Sequence, residues 1–138
     1  MKVTLLEIGK TDADYLKKGI DIYLKRIAHY ITFNELVIPS LKKAGSLSES
    51  QQKQKEGELI LNLVGQADDL ILLDERGEQF SSLAFARFIE KKMVEGNRNL
   101  VFVIGGPYGF SAEVYARARH KISLSDMTFS HQMVRLIF

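Results

Sequence analysis

Two uninterrupted apolar runs, Leu70–Leu73 in "LILLD" and Leu100–Ile104 in "LVFVI", constrain this chain more than any other feature. A strand wetted on one side alternates apolar and polar residues, whereas a run without a polar member is buried on both faces. Strands of that kind need helices above and below their sheet, and the segments between them have the right spacing. Tyr15, Leu16, Ile20, Tyr23, Leu24 and Ile27 recur at three and four, as do Leu59, Ile60, Leu63 and Val64, and Ala86, Phe88, Ile89 and Met93. "VTLLEI" (Val3–Ile8), "ELVIP" and "KISLS" read as further strands. The expectation is a single α/β domain over residues 1–138, with a mostly parallel sheet and helices on both faces.

Punctuation supports this rhythm. Gly9 ends the first strand, Asp12 is placed to cap the first helix, and Pro39 closes "ELVIP". Ser48 with Gln51 forms a capping box before the second helix, which Gly65 stops. "ERGE" reads as a turn, and Ser82 or Ser81 as the cap of the helix that ends near Gly96. Ser111 caps the short helix "AEVYARA", with Glu113 in its first turn, and a last helix begins near Ser130.

Composition excludes several classes. There is no cysteine, hence no disulfide framework, thiolate metal site or cysteine nucleophile. No stretch has the length needed to span a bilayer, and the N-terminus lacks a signal-peptide core, so a soluble cytoplasmic protein is expected. A net charge of +2 permits an anionic partner without arguing for one. The cations cluster locally at Lys17, Lys18, Lys25 and Arg26, at Lys42 and Lys43, and at Arg117, Arg119 and Lys121. No P-loop, dinucleotide fingerprint or nucleophile elbow occurs, and His29, His120 and His131 lack metal-ligand spacing.

In a parallel sheet, ligands sit beyond the carboxyl ends of the strands. Three segments have that position: the stretch after Asp74, "GGPYG", and "SLSDMTF". Glycines permit close backbone approach, so such a turn can present amides and carbonyls to an adenine and a ribose. It can equally be a tight strand-to-helix turn with no ligand.

The residues are more particular than the pattern. "FVIGGPYGFS" and "ISLSDMTFSHQMVRLIF", with "MKVTLLEIGK" at the start and "LILLDERG" in the middle, closely resemble the RlmH family of the SPOUT superfamily. The resemblance runs over essentially the whole chain in the same order. It implies an S-adenosylmethionine-dependent methyltransferase acting on N3 of a pseudouridine in 23S ribosomal RNA, with the assembled ribosome as the expected substrate, and a homodimer. It also implies a deep trefoil knot, although threaded chains are exceptional. By position, its cofactor contacts fall on Leu73, Gly105, Leu124, Ser125, Asp126, Met127, Thr128 and Phe129. A non-catalytic RNA-binding module on the same fold, or an enzyme for another adenine-containing ligand, are the competing readings.

His131 and Arg135 lie one turn apart on the last helix and share a face. Arg135 is the candidate electrostatic or RNA-phosphate group, and His131 the candidate site-lining or proton-handling group. "HQMVRLIF" stops on an apolar face, ahead of the family's tyrosine–arginine pair and its tyrosine- and histidine-bearing tail. The expectation is that the native chain runs on, and that without this tail the knot and the dimer interface are incomplete.

Overall fold

The computed structural model describes residues 1–138, in which strands and α-helices alternate from β1 (Lys2–Ile8) to α5 (His131–Ile137). Between them come α1 (Asp14–Ile27), β2 (Thr32–Ile38), α2 (Glu49–Leu63), β3 (Asp69–Gln79), α3 (Ser82–Val94), β4 (Asn99–Ile104), α4 (Ala112–Arg117) and β5 (His120–Ser123). All pairings are parallel, in the order β2-β1-β4-β3-β5. The expected α/β architecture is therefore the observed one.

The apolar runs form the two central strands. Leu70, Leu72, Val101 and Val103 point to one face and pack with Ile60 of α2 and Val114 of α4. Ile71, Leu100, Phe102 and Ile104 point to the other, where Phe85, Phe88 and Ile89 of α3 and Val134 of α5 lie. Alternate residues of a continuous run thus enter separate cores, as the pleat requires. Both edges are thinner, and β2 alternates between exposed and half-buried positions. No helix is long and apolar enough to cross a membrane.

Several boundaries differ from the sequence reading. β2 begins at Thr32, three residues before "ELVIP". Asp12 is not the cap of α1: the helix starts after Ala13 without a side-chain cap. The reason is tertiary, because the Asp12 amide donates to Gln132 Oε1 at 2.8 Å and Gln132 Nε2 donates to the Lys10 carbonyl at 3.2 Å, holding this loop against α5. Ser81, rather than Ser82, caps α3 by accepting from the Ala84 amide at 3.1 Å. The Ser48–Gln51 box and the Ser111 and Ser130 caps form as expected.

"ERGE" is not a simple turn. It lies within β3, whose register against β5 breaks there, so that Ile122 opposes both Leu73 and Glu78. The intervening residues bulge out, and Gly77 presses on the backbone of β5. A Cβ added at Gly77 would lie 2.5 Å from the Lys121 carbonyl carbon and 2.5 Å from the Ile122 nitrogen. Only a residue without a side chain lets the two main chains approach this closely.

Candidate functional site

Parallel register brings the three strand-end segments together. Leu73 pairs with Ile104 on one side and Ile122 on the other. Gly105 follows Ile104, and Ser123 and Leu124 follow Ile122, so all three segments leave the sheet at the same edge. Distance along the chain is cancelled by the ladder.

The turn after β4 uses its glycines for different reasons. A Cβ at Gly105 would lie 3.0 Å from two ring atoms of Phe110, and one at Gly106 would lie 2.6 Å from Glu56 Oε2. Gly109 alone has a left-handed φ, +83°. It closes the turn by pairing with Gly106, the Gly109 amide donating to the Gly106 carbonyl at 3.2 Å. Two positions are thus required by crowding and one by backbone conformation.

Helix α2 supports this turn at both ends. Glu56, 4% exposed, lays its carboxyl against Gly106, with Gln52 Nε2 at 3.4 Å from Oε2 and no partner for Oε1. Burial pushes its pKa up. Gly57 meets Ser111 and Val114 so closely that an added Cβ would overlap Ser111 Oγ. Neither residue was a sequence candidate. The available signal was a glycine held inside a helix, which costs about 1 kcal/mol relative to alanine and so implies a packing reason.

The segment after β5 is held by its own side chains. Ser123 Oγ donates to the Ser125 carbonyl at 3.0 Å, the Met127 amide donates to Ser125 Oγ at 3.0 Å, and Gln79 Nε2 donates to Asp126 Oδ1 at 2.6 Å. The last bond ties the loop to the end of β3. Leu124 is 37% and Met127 74% exposed, Thr128 is exposed, and Leu73 and Phe129 are half-buried. Apolar side chains left uncovered around a glycine turn suit an adenosine, whose purine needs flat apolar walls and main-chain partners at its edge. The residues present fit such a group.

The last helix departs from expectation. Arg135 is 4% exposed: its Nε lies 3.1 Å from Glu7 Oε2, Nη1 donates to Thr11 Oγ1 at 3.0 Å, and Nη2 donates to the Ile8 carbonyl at 2.8 Å. All three nitrogens face inward, so this side chain is not free to meet an RNA phosphate, and that half of its expected role is corrected. Packing of α5 against α1 and β4 turns the guanidinium toward β1, a fact helical spacing alone does not reveal. Glu7 lies on β1 with no exposure, and its carboxyl is pushed up to about 8, chiefly by burial and then by a hydrogen bond with Glu35, with Arg135 opposing. His131 stays exposed at the start of α5. Its pKa is lowered, first by desolvation and second by the nearby Arg135 charge, which favours neutral imidazole at pH 7.

A family model described as "Predicted SPOUT methyltransferase" matches residues 1–138. The chain belongs to this family. Among the relatives of this SPOUT methyltransferase, a protein from Christiangramia forsetii is 59% identical over all 138 residues, and one from Parabacteroides distasonis is 56% identical over the same span. A third, from Flavobacterium johnsoniae, is also 56% identical. Each is named Ribosomal RNA large subunit methyltransferase H, and this chain covers 88% of its length.

Proposed function

We propose that this SPOUT methyltransferase methylates N3 of a pseudouridine in 23S ribosomal RNA on the assembled ribosome, using S-adenosylmethionine. The observation that carries the reading is the convergence of Leu73, Gly105 and Leu124–Phe129 at one sheet edge, in a chain whose relatives are named for ribosomal RNA methylation. Backbone groups of Gly105 and of Ser125–Thr128 read the adenosine, while Leu73, Leu124, Met127 and Phe129 form the apolar walls. When bound, the cofactor supplies an electrophilic methyl group on its sulfonium.

The ring nitrogen that accepts the methyl carries a proton, which must leave. His131, neutral at pH 7 and beside the cofactor loop, is the group assigned to receive it. Arg135 acts through position and field: it anchors α5 to β1 and places a fixed positive charge next to His131, favouring negative charge on the ring. The resemblance implies that a partner copy and the family's C-terminal tail complete this edge for the RNA.

Titration calorimetry with S-adenosylmethionine, followed by methyl transfer to ribosomes and to naked RNA, tests the assignment. Saturable binding and ribosome-dependent methylation are expected. Absence of binding at millimolar cofactor would remove the reading.

A further inference from the structure

A polar cleft of about 360 Å³ opens between the β3 bulge and the junction of α4 with β5, lined by Asp74, Arg76, Tyr115, Arg119, His120 and Lys121. We propose that it holds a phosphodiester of the RNA substrate. The inference rests on the function proposed above and names the surface that meets the nucleic acid.

Three observations carry it. First, Arg76, Arg119 and Lys121 are exposed and none of them is engaged in an ion pair. The cleft's one carboxylate is already occupied: Asp74 Oδ1 accepts the Arg76 amide at 2.8 Å, and Oδ2 accepts the Tyr115 hydroxyl. Nor is the His120 ring nitrogen free, because Lys92 Nζ lies 2.8 Å from Nε2. Glu75 and Glu78 belong to the same bulge and, without lining the cleft, lie close enough to act electrostatically on Tyr115 and His120.

Second, the cations are gathered into a concavity by the fold. Arg76 comes from the bulge, while Arg119 and Lys121 flank the start of β5. Lys121 is held with its Nζ 5.6 Å from the centre of the Tyr115 ring. The cleft's three cations face one carboxylate, Asp74, so the hollow stays net positive in a protein whose net charge is only +2, and that makes a local field where the average surface has little. A polar, cationic hollow fits phosphate and sugar better than it fits an apolar ligand.

Third, the cleft adjoins the cofactor edge. Tyr115 packs edge-on against Phe110, with ring centres 5.7 Å apart, and Phe110 in turn packs on Gly105. Asp74 is the residue after Leu73. A phosphate bound here is therefore positioned, through one aromatic pair, relative to the turn assigned to the adenosine.

The test uses the whole chain carrying Arg119→Ala and Lys121→Ala together. Both side chains are exposed, so folding, checked by thermal unfolding, is expected to be unchanged, as is S-adenosylmethionine affinity by calorimetry. Binding to intact ribosomes is measured across a salt series. The slope of log affinity against log salt should fall by about 1 for each charge removed. A control pair, Lys42→Ala with Lys43→Ala, lies after β2 at the opposite edge of the sheet and should leave the slope unchanged. An unaltered slope in the cleft variant, or an equal drop in the control, overturns the assignment. Failure of the parent protein to bind S-adenosylmethionine would instead strike the proposed function, since the salt slope is read without cofactor.

Discussion

Gly106→Ala is the sharpest probe of how the fold makes the site. Gly106 does not have a left-handed φ, so alanine carries no backbone penalty there. What it meets is Glu56, whose Oε2 and Cδ would lie 2.6 and 2.8 Å from the new Cβ. Ordinary contact begins near 3.4 Å. The carboxyl must therefore retreat by the better part of an ångström, and, with Glu56 only 4% exposed, it has little open space to swing into. Gly57, next along the helix, is already against Ser111 and Val114, so the helix itself is poorly placed to shift away. Overpacking of this kind costs about 1–3 kcal/mol. Any part of it expressed as displacement of the turn weakens cofactor binding by about tenfold for each 1.4 kcal/mol. A double-mutant cycle with Glu56→Ala isolates the cause, because removing the carboxyl makes room for the methyl. The expected coupling is about 1–2 kcal/mol, with Gly106→Ala much milder in the Glu56→Ala background. Urea denaturation gives the stability terms and calorimetry with S-adenosylmethionine the binding terms. Additive effects of the two substitutions would refute the reasoning, as would a Gly106→Ala protein of parental stability.

Other expectations follow from particular contacts. Lys92 Nζ lies 2.7 Å from Asp69 Oδ2, with Asp69 wholly buried, so Lys92→Met strands a buried carboxylate and should cost about 3–5 kcal/mol in denaturant unfolding. Glu7 has a folded pKa of about 8 against an ordinary 4.5, so its contribution is fully present below 4.5 and is lost as pH rises through about 8. Thermal unfolding across that window should show this decline in the parent protein, and Glu7→Gln should flatten it; an identical decline in both would rule Glu7 out. Phe102 is completely buried and contacts Phe85 and Phe138, so Phe102→Ala should destabilise by about 3–5 kcal/mol. His131→Gln should keep S-adenosylmethionine affinity while lowering kcat by about 10²-fold or more, and a normal kcat would remove its assigned role.

Much of this protein is legible before any coordinates. Leu70–Leu73 and Leu100–Ile104 announce central strands because continuous apolar runs have no water-facing side, and Ser48, Ser111 and Ser130 announce helix starts because their hydroxyls bond amides only two or three residues on. Strand ends carrying "GGPYG" and "SLSDMTF" mark candidate loops, since a parallel sheet leaves only its carboxyl edge open to a ligand. All of these are local signals, or follow from a simple rule of strand order.

Contacts across long sequence separations escaped that reading. Glu56 behind Gly106, Glu7 beneath Arg135, and Gly77 against Lys121 and Ile122 join residues with no shared pattern. Arg135 is the clearest case. Helical spacing put it beside His131, yet whether it faced solvent depended on how α5 rotated onto α1 and β4, and that is settled by packing and by the buried Glu7 carboxyl. Strand and helix identities and the loops that end them could be read from the chain, because they depend on neighbours within a turn or a strand. Only the tertiary structure decided which charges are buried and which line a cleft, because burial is a property of surfaces that meet after the chain has folded.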